Sequence, residues 1–286
     1  MILVTGATGT TGSEVVRQLA AAGQKVRALV RDRKKAGKIE GPEVEIAVGD
    51  LDRPATLEAP LQGIEKIFLV SSPDPRVADL HRNLIEAAKR AGVRHVVRMA
   101  ALGSRPDSPV SLLRWHGESE RILERSGIPY TLLRPHMFMQ STLMFARSIA
   151  AEGTFYAPLR DAKISLVDVR DIAAVAVGAL TGRGHEGKAY DVTGPEALSF
   201  SEVAGKISAA TGKPVRYVNV PPEAARKAML GMGMPDWLVD GLLGLYAEWS
   251  AGRGASVSPA VGQVGKTKPR TYEQFAREHA GAFAGH

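Results

Sequence analysis

Short apolar runs alternate with segments of helical period through the first half of the chain. Ile2-Leu3-Val4 is followed by a glycine-rich turn and then by Val15, Val16, Leu19 and Ala20, which share one face of a helix that Gly23 ends. Val26–Val30 and Val44–Val48 read as the second and third strands, and Ile67–Val70 as the fourth. A helix is expected from about Arg76 to Ala91, closed by Gly92, before a fifth strand at Val96–Met99. A longer helix from about Val110 to Arg125, closed by Gly127, precedes a sixth strand at Tyr130–Leu133. Strands separated by helices must pair in parallel through crossovers. The expected fold class is therefore α/β, a Rossmann-type doubly wound parallel sheet over residues 1–150.

Beyond residue 150 the alternation loosens. Ile172–Leu180 reads as a helix and Ala189–Val192 as a late strand, so elements around 164–192 are expected to return to the sheet, leaving residues 193–286 as a smaller, mostly helical substrate lobe. Ser199 with Glu202 and Thr271 with Gln274 have the spacing of capping boxes and mark two helix starts, the first running to Thr211 before Gly212. Trp237, Leu238, Leu242, Leu243, Leu245, Tyr246 and Trp249 crowd one helical segment, expected to pack within the chain. The same stripe is what a homodimer contact would use. Residues 251–268, rich in Gly, Ser, Val and Lys, are expected to form a mobile loop.

Composition narrows the chemistry. The chain has 286 residues, 44% of them hydrophobic, enough for a full core. Its net charge of +7 is spread without aromatic interleaving or a nucleic-acid-binding motif, which argues against nucleic acid as the partner. With no cysteine, disulfides and thiolate chemistry are excluded, and no His and carboxylate spacing suggests a metal. No apolar stretch reaches the length of a membrane span, and the first strand begins at once with no basic leader ahead of it. The cytoplasm is the expected compartment.

The turn Thr5-Gly6-Ala7-Thr8-Gly9-Thr10-Thr11-Gly12 lies between a strand and a helix, where a dinucleotide pyrophosphate is cradled. Gly6 serves the turn, Gly9 the approach of phosphate to backbone and Gly12 the packing of helix on sheet, while free N–H groups at the helix start face the anion. In such a fold the residue leaving each strand faces the cofactor. The second strand leaves through Arg31, with Arg33 and Lys35 behind it, which favours the 2′-phosphate of NADPH. Asp32 keeps NADH open, by serving a ribose diol, unless it caps the following turn. Asp50 and Leu51 after the third strand are placed for adenine, and Ser71, Ser72 and Pro73 after the fourth for the nicotinamide ribose.

These residues, with Ala91-Gly92-Val93-Arg94-His95-Val96-Val97, Ser126–Pro135, Val167-Asp168-Val169-Arg170-Asp171 and Pro269–Phe275, resemble the NmrA-like atypical short-chain dehydrogenases/reductases. That group includes quinone oxidoreductases, triphenylmethane-dye reductases, isoflavone and phenylcoumaran benzylic ether reductases, ergot-alkaloid reductases and redox-sensing regulators. The resemblance implies a nicotinamide cofactor. It also exposes a departure: Met99-Ala100-Ala101 stands where the wider superfamily carries its Ser, and His116 and Glu120 stand at the spacing of its Tyr-x-x-x-Lys pair. On one helical face, one turn apart, His116 would donate a proton with Glu120 orienting it; the competing reading is an intrahelical pair without catalytic consequence. The resemblance also sets the segment from His136 through Met137 and Phe138 to Met139 before the nicotinamide. Phe138, Met139 and Trp115 would then form an apolar platform for an aromatic acceptor, unless Phe138 and Met139 are core. His81 and His95 are expected at the surface or behind the site.

The sequence thus points to an NADPH-dependent reductase delivering hydride to an easily reduced aromatic small molecule, such as a quinone, an azo or cationic dye, or a conjugated carbonyl or iminium compound. Such acceptors are reduced with little acid catalysis. Two alternatives stand beside it: a non-catalytic redox sensor, and a carbonyl or ether reductase using His116 as its acid.

Overall fold

The computed structural model describes residues 1–37 and 39–285. The first half runs β1 (Ile2–Val4), α1 (Thr10–Ala21), β2 (Val26–Val30), β3 (Val44–Val48), α2 (Glu58–Leu61), β4 (Lys66–Leu69), α3 (Val77–Arg90), β5 (His95–Met99), α4 (Ser111–Arg125) and β6 (Tyr130–Pro135). The second half runs α5 (Ala146–Glu152), β7 (Thr154–Ala157), α6 (Val169–Thr181), β8 (Lys188–Val192), α7 (Phe200–Thr211), β9 (Arg216–Asn219), α8 (Pro222–Gly231), α9 (Asp236–Glu248), α10 (Ala260–Gln263), α11 (Tyr272–Glu278) and α12 (Ala280–Ala284).

Seven strands form one parallel sheet in the order β3-β2-β1-β4-β5-β6-β8. The strand order switches between β1 and β4, winding outward to β3 on one side and to β8 on the other, and that switch opens a crevice at the carboxyl ends of the strands. Thr5 fixes its floor: the buried Thr5 hydroxyl donates to the Val70 carbonyl at 2.6 Å and accepts the Val70 N–H at 2.9 Å. One core packs α1 and α6 on one face of the sheet, and a second packs α3 and α4 on the other. A third core fills the lobe and draws on Met139, Ile149, Phe155 and Leu166 as well as on residues beyond 193.

Both capping boxes form, at Ser199 with Glu202 and at Thr271 with Gln274. The C-terminal segment is tied to the sheet domain through Asp171, which is fully buried and accepts the Arg270 backbone N–H at 2.7 Å as well as its guanidinium. The short parallel pair β7 and β9 has no counterpart in the sequence reading, because four-residue strands leave little periodicity. Residues 251–268 also differ from expectation. Val261 and Val264 are buried in the sheet domain's core, and α10 rests on α6. Two valines three residues apart have enough apolar surface to hold that segment down. Among the described residues no helix is long and apolar enough to cross a membrane.

Candidate functional site

A cavity of about 660 Å³ runs from the glycine turn, across the switch point, to the lobe. At one end the turn is as tight as its glycines permit: Gly6 has φ +53° and Gly9 N–H closes onto the Gly6 carbonyl at 2.9 Å. A Cβ on Gly12 would sit 2.1 Å from that same oxygen. Helix α1 follows Gly9, an N-cap residue without a side chain to cap it, and has no acidic residue in its first turn, so its free N–H groups and positive dipole end open toward the cavity. These are the requirements of a pyrophosphate cradle, and the donor set fits a dinucleotide.

The cavity wall takes in Gly6, Thr8, Gly9, Thr10, Thr11 and Gly12, then Arg31, Asp50, Leu51, Ser71, Ser72 and Pro73, then Met99 and Ala100. Each of these follows a strand or the cradle, as the fold dictates. Arg33 is not among them; its guanidinium turns back to donate to the Ile46 carbonyl at 3.3 Å. Asp32 is engaged as the cap of the 3-10 turn Arg33–Lys35, its carboxylate accepting the Lys34 N–H at 3.0 Å. The cap leaves Arg31 as the charged side chain of this segment on the cavity wall.

At the other end Trp115, His116, His136, Met137 and Phe138 meet Leu242, Leu245 and Trp249 of the α9 segment. The stripe from Trp237 to Trp249 thus has two uses: Val239 and Tyr246 are buried in the lobe, while its neighbours roof the cavity. Gly241 makes the roof possible, since a Cβ there would lie 2.5 Å from Leu112 Cγ on α4. Trp115 meets Trp237 edge to face at 5.8 Å, and His136 leans on Trp249 at 5.2 Å. Met139, expected on the wall, is 1% exposed in the lobe core, where Val167 fixes its backbone; Met137 is on the wall instead.

The expected partnership of His116 with Glu120 does not form. Glu120 is buried and makes two bonds to Arg134, at 3.0 and 2.7 Å. His116 instead faces Arg98, whose Nη2 lies 3.2 Å from its Nδ1. Burial, reinforced by that guanidinium, pushes the His116 pKa down to about 3, so no imidazolium is present at neutral pH to act as an acid. His136 is pushed down to about 4 by burial, and its Nδ1 accepts the Met137 N–H at 2.6 Å.

Sequence reasoning passed over Arg98, Leu112, Leu242 and Leu245. Arg98 carried a signal, an arginine within an otherwise apolar central strand, since a charged side chain that is 0% exposed is rare unless it serves a purpose. His81 and His95, expected at the surface or behind the site, are both buried: His81 lies behind the wall residue Ser71, its Nε2 3.0 Å from Oγ, and His95 against the Thr131 hydroxyl at 2.9 Å. Among the described residues no three His, Asp or Glu side chains are gathered as a metal site.

The profile of the NmrA-like family matches residues 1–275. The chain is 49% identical over 283 residues to an NAD(P)H azoreductase of Xenophilus azovorans, covering 99% of both proteins. It is 40% identical over 285 residues to a (4-alkanoyl-5-oxo-2,5-dihydrofuran-3-yl)methyl phosphate reductase of Streptomyces griseus, again covering 99% of both. Among solved structures it superimposes on an NADPH-dependent quinone oxidoreductase of Escherichia coli in complex with NADPH, with TM-score 0.89 and 32% identity over 97% of this chain and 99% of that one.

Proposed function

The chain belongs to the NmrA-like family, and from that premise we propose that it is an NADPH-dependent reductase of quinones, azo compounds and related conjugated acceptors. One observation carries the reading: a single cavity joins a dinucleotide cradle to a roofed apolar chamber lined by Trp115, Phe138 and Trp249. A protein that only sensed the cofactor would have no use for that chamber.

When bound, NADPH supplies a hydride, and the acceptor takes up one further proton to become hydroquinone, hydrazine or saturated carbonyl compound. The residues of this chain bind and orient. In this assignment the α1 N–H groups hold the pyrophosphate, Arg31 the 2′-phosphate, Asp50 and Leu51 the adenine, and Ser71 and Ser72 the nicotinamide ribose. Met99 and Ala100 back the reacting ring. The aromatic side chains of the chamber stack a planar acceptor, and the leucines of α9 exclude water from it. Placement in a dry chamber then supplies most of the rate.

Mixing the protein with NADPH and a panel of quinones, azo dyes and enones, with nicotinamide absorbance as the readout, tests the reading. Oxidation in the presence of an acceptor is expected; tight binding of NADPH with no oxidation by any acceptor overturns it. Cofactor choice has its own test. Losing one charge-assisted contact costs about 1.5–3 kcal/mol, so Arg31→Ala is expected to raise the dissociation constant for NADPH about tenfold or more. Affinity for NADH is expected to stay within about twofold, because NADH lacks the phosphate that Arg31 would hold. Equal loss for both cofactors would remove Arg31 from the selection.

A further inference from the structure

A branched chain of buried polar groups links two points on the cavity wall, and its protons can be placed. Arg98 on β5 is fully buried and can only donate. Its Nε donates to the Ser119 hydroxyl at 3.0 Å, with His81 Nδ1 at 3.3 Å as a second acceptor. Ser119, already accepting, gives its own proton to His81 Nδ1 at 2.8 Å. His81 must then carry its proton on Nε2, from which it donates to Ser71 Oγ at 3.0 Å. Ser71 is left with a free O–H on the cavity wall. On the other arm Arg98 Nη2 donates to His116 Nδ1, so the His116 proton sits on Nε2, in a ring that also lines the cavity. One permanent donor therefore turns both arms outward.

The charge is as informative as the direction. Glu120 and Arg134 are the ionised side chains that act on Arg98, and Glu120 is already held by both bonds to Arg134. Arg134 is acted on by Asp191 and Glu124 as well, whereas among the described residues no carboxylate is bonded to Arg98, so the Arg98 charge is the one left without an ion-pair partner. Arg98 Nη1 is buried without a hydrogen-bond partner. The two carboxylates on the cavity wall, Asp50 and Asp74, follow β3 and β4, and Asp74 is paired with Arg76.

We propose that Arg98 is a positioning residue that aims two neutral donors, Ser71 O–H and His116 Nε2–H, into the cleft and biases it positively, so that neutral or anionic acceptors are preferred over cationic ones. The inference rests on the reductase reading. Hydride addition puts two electrons and one proton on the acceptor, and negative charge gathers on its oxygen or nitrogen. His116 Nε2–H stabilises that charge by hydrogen bonding while Ser71 O–H holds the nicotinamide ribose beside it, and the second proton is taken from solvent as the product leaves the chamber. His116 keeps its own proton, since giving it up would leave an imidazolate.

Histidine nitrogen-15 spectra of the wild-type protein are the first test, and they need no turnover. They are expected to show His116 as the uncharged Nε2–H tautomer from neutral into mildly acidic solution; an Nδ1–H tautomer or an imidazolium overturns the proposal. In Arg98→Met the tautomers are expected to mix. The preference for a neutral quinone over a cationic triphenylmethane dye, in kcat/KM and in equilibrium binding, is expected to fall at least about tenfold, as for loss of one preorganised donor or charge. The NADPH dissociation constant is expected to stay within about threefold. Arg98→Lys keeps the charge but not the fork, and is expected to restore the preference without restoring the single tautomer. An unchanged preference in folded Arg98→Met overturns the proposal. If that variant does not fold, the wild-type tautomer and the Lys variant decide. Failure of the reductase reading itself would look different: neither acceptor would oxidise NADPH, whatever the tautomer.

Discussion

Gly12→Ala is expected to weaken NADPH binding by about a hundredfold or more, the scale of loss for a misplacement of about 1 Å at a preorganised site. The added Cβ would stand 2.1 Å from the Gly6 carbonyl oxygen, 2.7 Å from its carbon and 3.1 Å from Ala7 Cα. All three are backbone atoms, so no side chain can swing away to make room. The turn must open by about 1 Å to reach van der Waals distance. That movement carries the N–H groups of α1 away from the anion they would share. At Gly9 the corresponding contact is 3.2 Å, and Gly9→Ala is expected to cost much less. Gly205→Ala on α7, where a Cβ meets nothing within 4 Å, serves as a control that leaves cofactor binding unchanged. Fluorescence titration with NADPH, beside a thermal melt showing that each variant is folded, makes the comparison. If folded Gly12→Ala binds NADPH within threefold of wild type, the cradle assignment does not survive.

The glycine turn was legible because sterics leave little choice at Gly6 and Gly12, and the crevice because strand ends in a doubly wound sheet must converge on it. The capping boxes at Ser199 and Thr271 were legible for a similar reason: a local device with a fixed spacing forms wherever a helix begins. The chamber was harder to read. Leu242, Leu245 and Trp249 lie far along the chain from His116, and an apolar stripe has the same spacing whether it faces a core or roofs a cavity. Met137 and Met139 show the limit at single-residue scale. Both are methionines beyond the same strand and both are tied to Val167, the Met137 carbonyl accepting its N–H at 3.0 Å and Met139 N–H donating to its carbonyl at 2.9 Å, so tertiary packing alone decides which of them is fully buried in the lobe core. The His116 and Glu120 spacing was read correctly as one helical face, yet Glu120 found a stronger partner in Arg134, on a strand that no helix-local rule could have supplied. Such pairings depend on sheet order, which fixes neighbours across long sequence separations.

Stability is expected to fall steeply as the solution is acidified from about pH 7 to about pH 5. His81 is fully buried and held well below the ordinary histidine range, first by burial and then by the charge of Arg98. His136 is pushed down to about 4 by burial, and His116 to about 3 by burial and Arg98. In the unfolded chain all three take up a proton near pH 6.5; in the folded protein they do not. The unfolded state therefore binds more protons over this window, and the stability present above pH 6.5 is lost as the pH falls toward the folded values. At pH 5 the loss is about 2 kcal/mol for each histidine still neutral in the fold. That sum is comparable with the whole stability of an ordinary domain, about 5–15 kcal/mol. Asp171 and Asp191, both raised by burial, oppose the trend, but only closer to the carboxylate range. Urea unfolding across the window measures the slope directly. His136→Asn, whose amide oxygen can still accept the Met137 N–H, is expected to remove the share of a single histidine from that slope, about 2 kcal/mol between pH 6.5 and pH 5. A wild-type protein as stable at pH 5 as at pH 7 would mean that these imidazoles are protonated in the fold, and the neutral Nε2–H donor drawn for His116 would go with them.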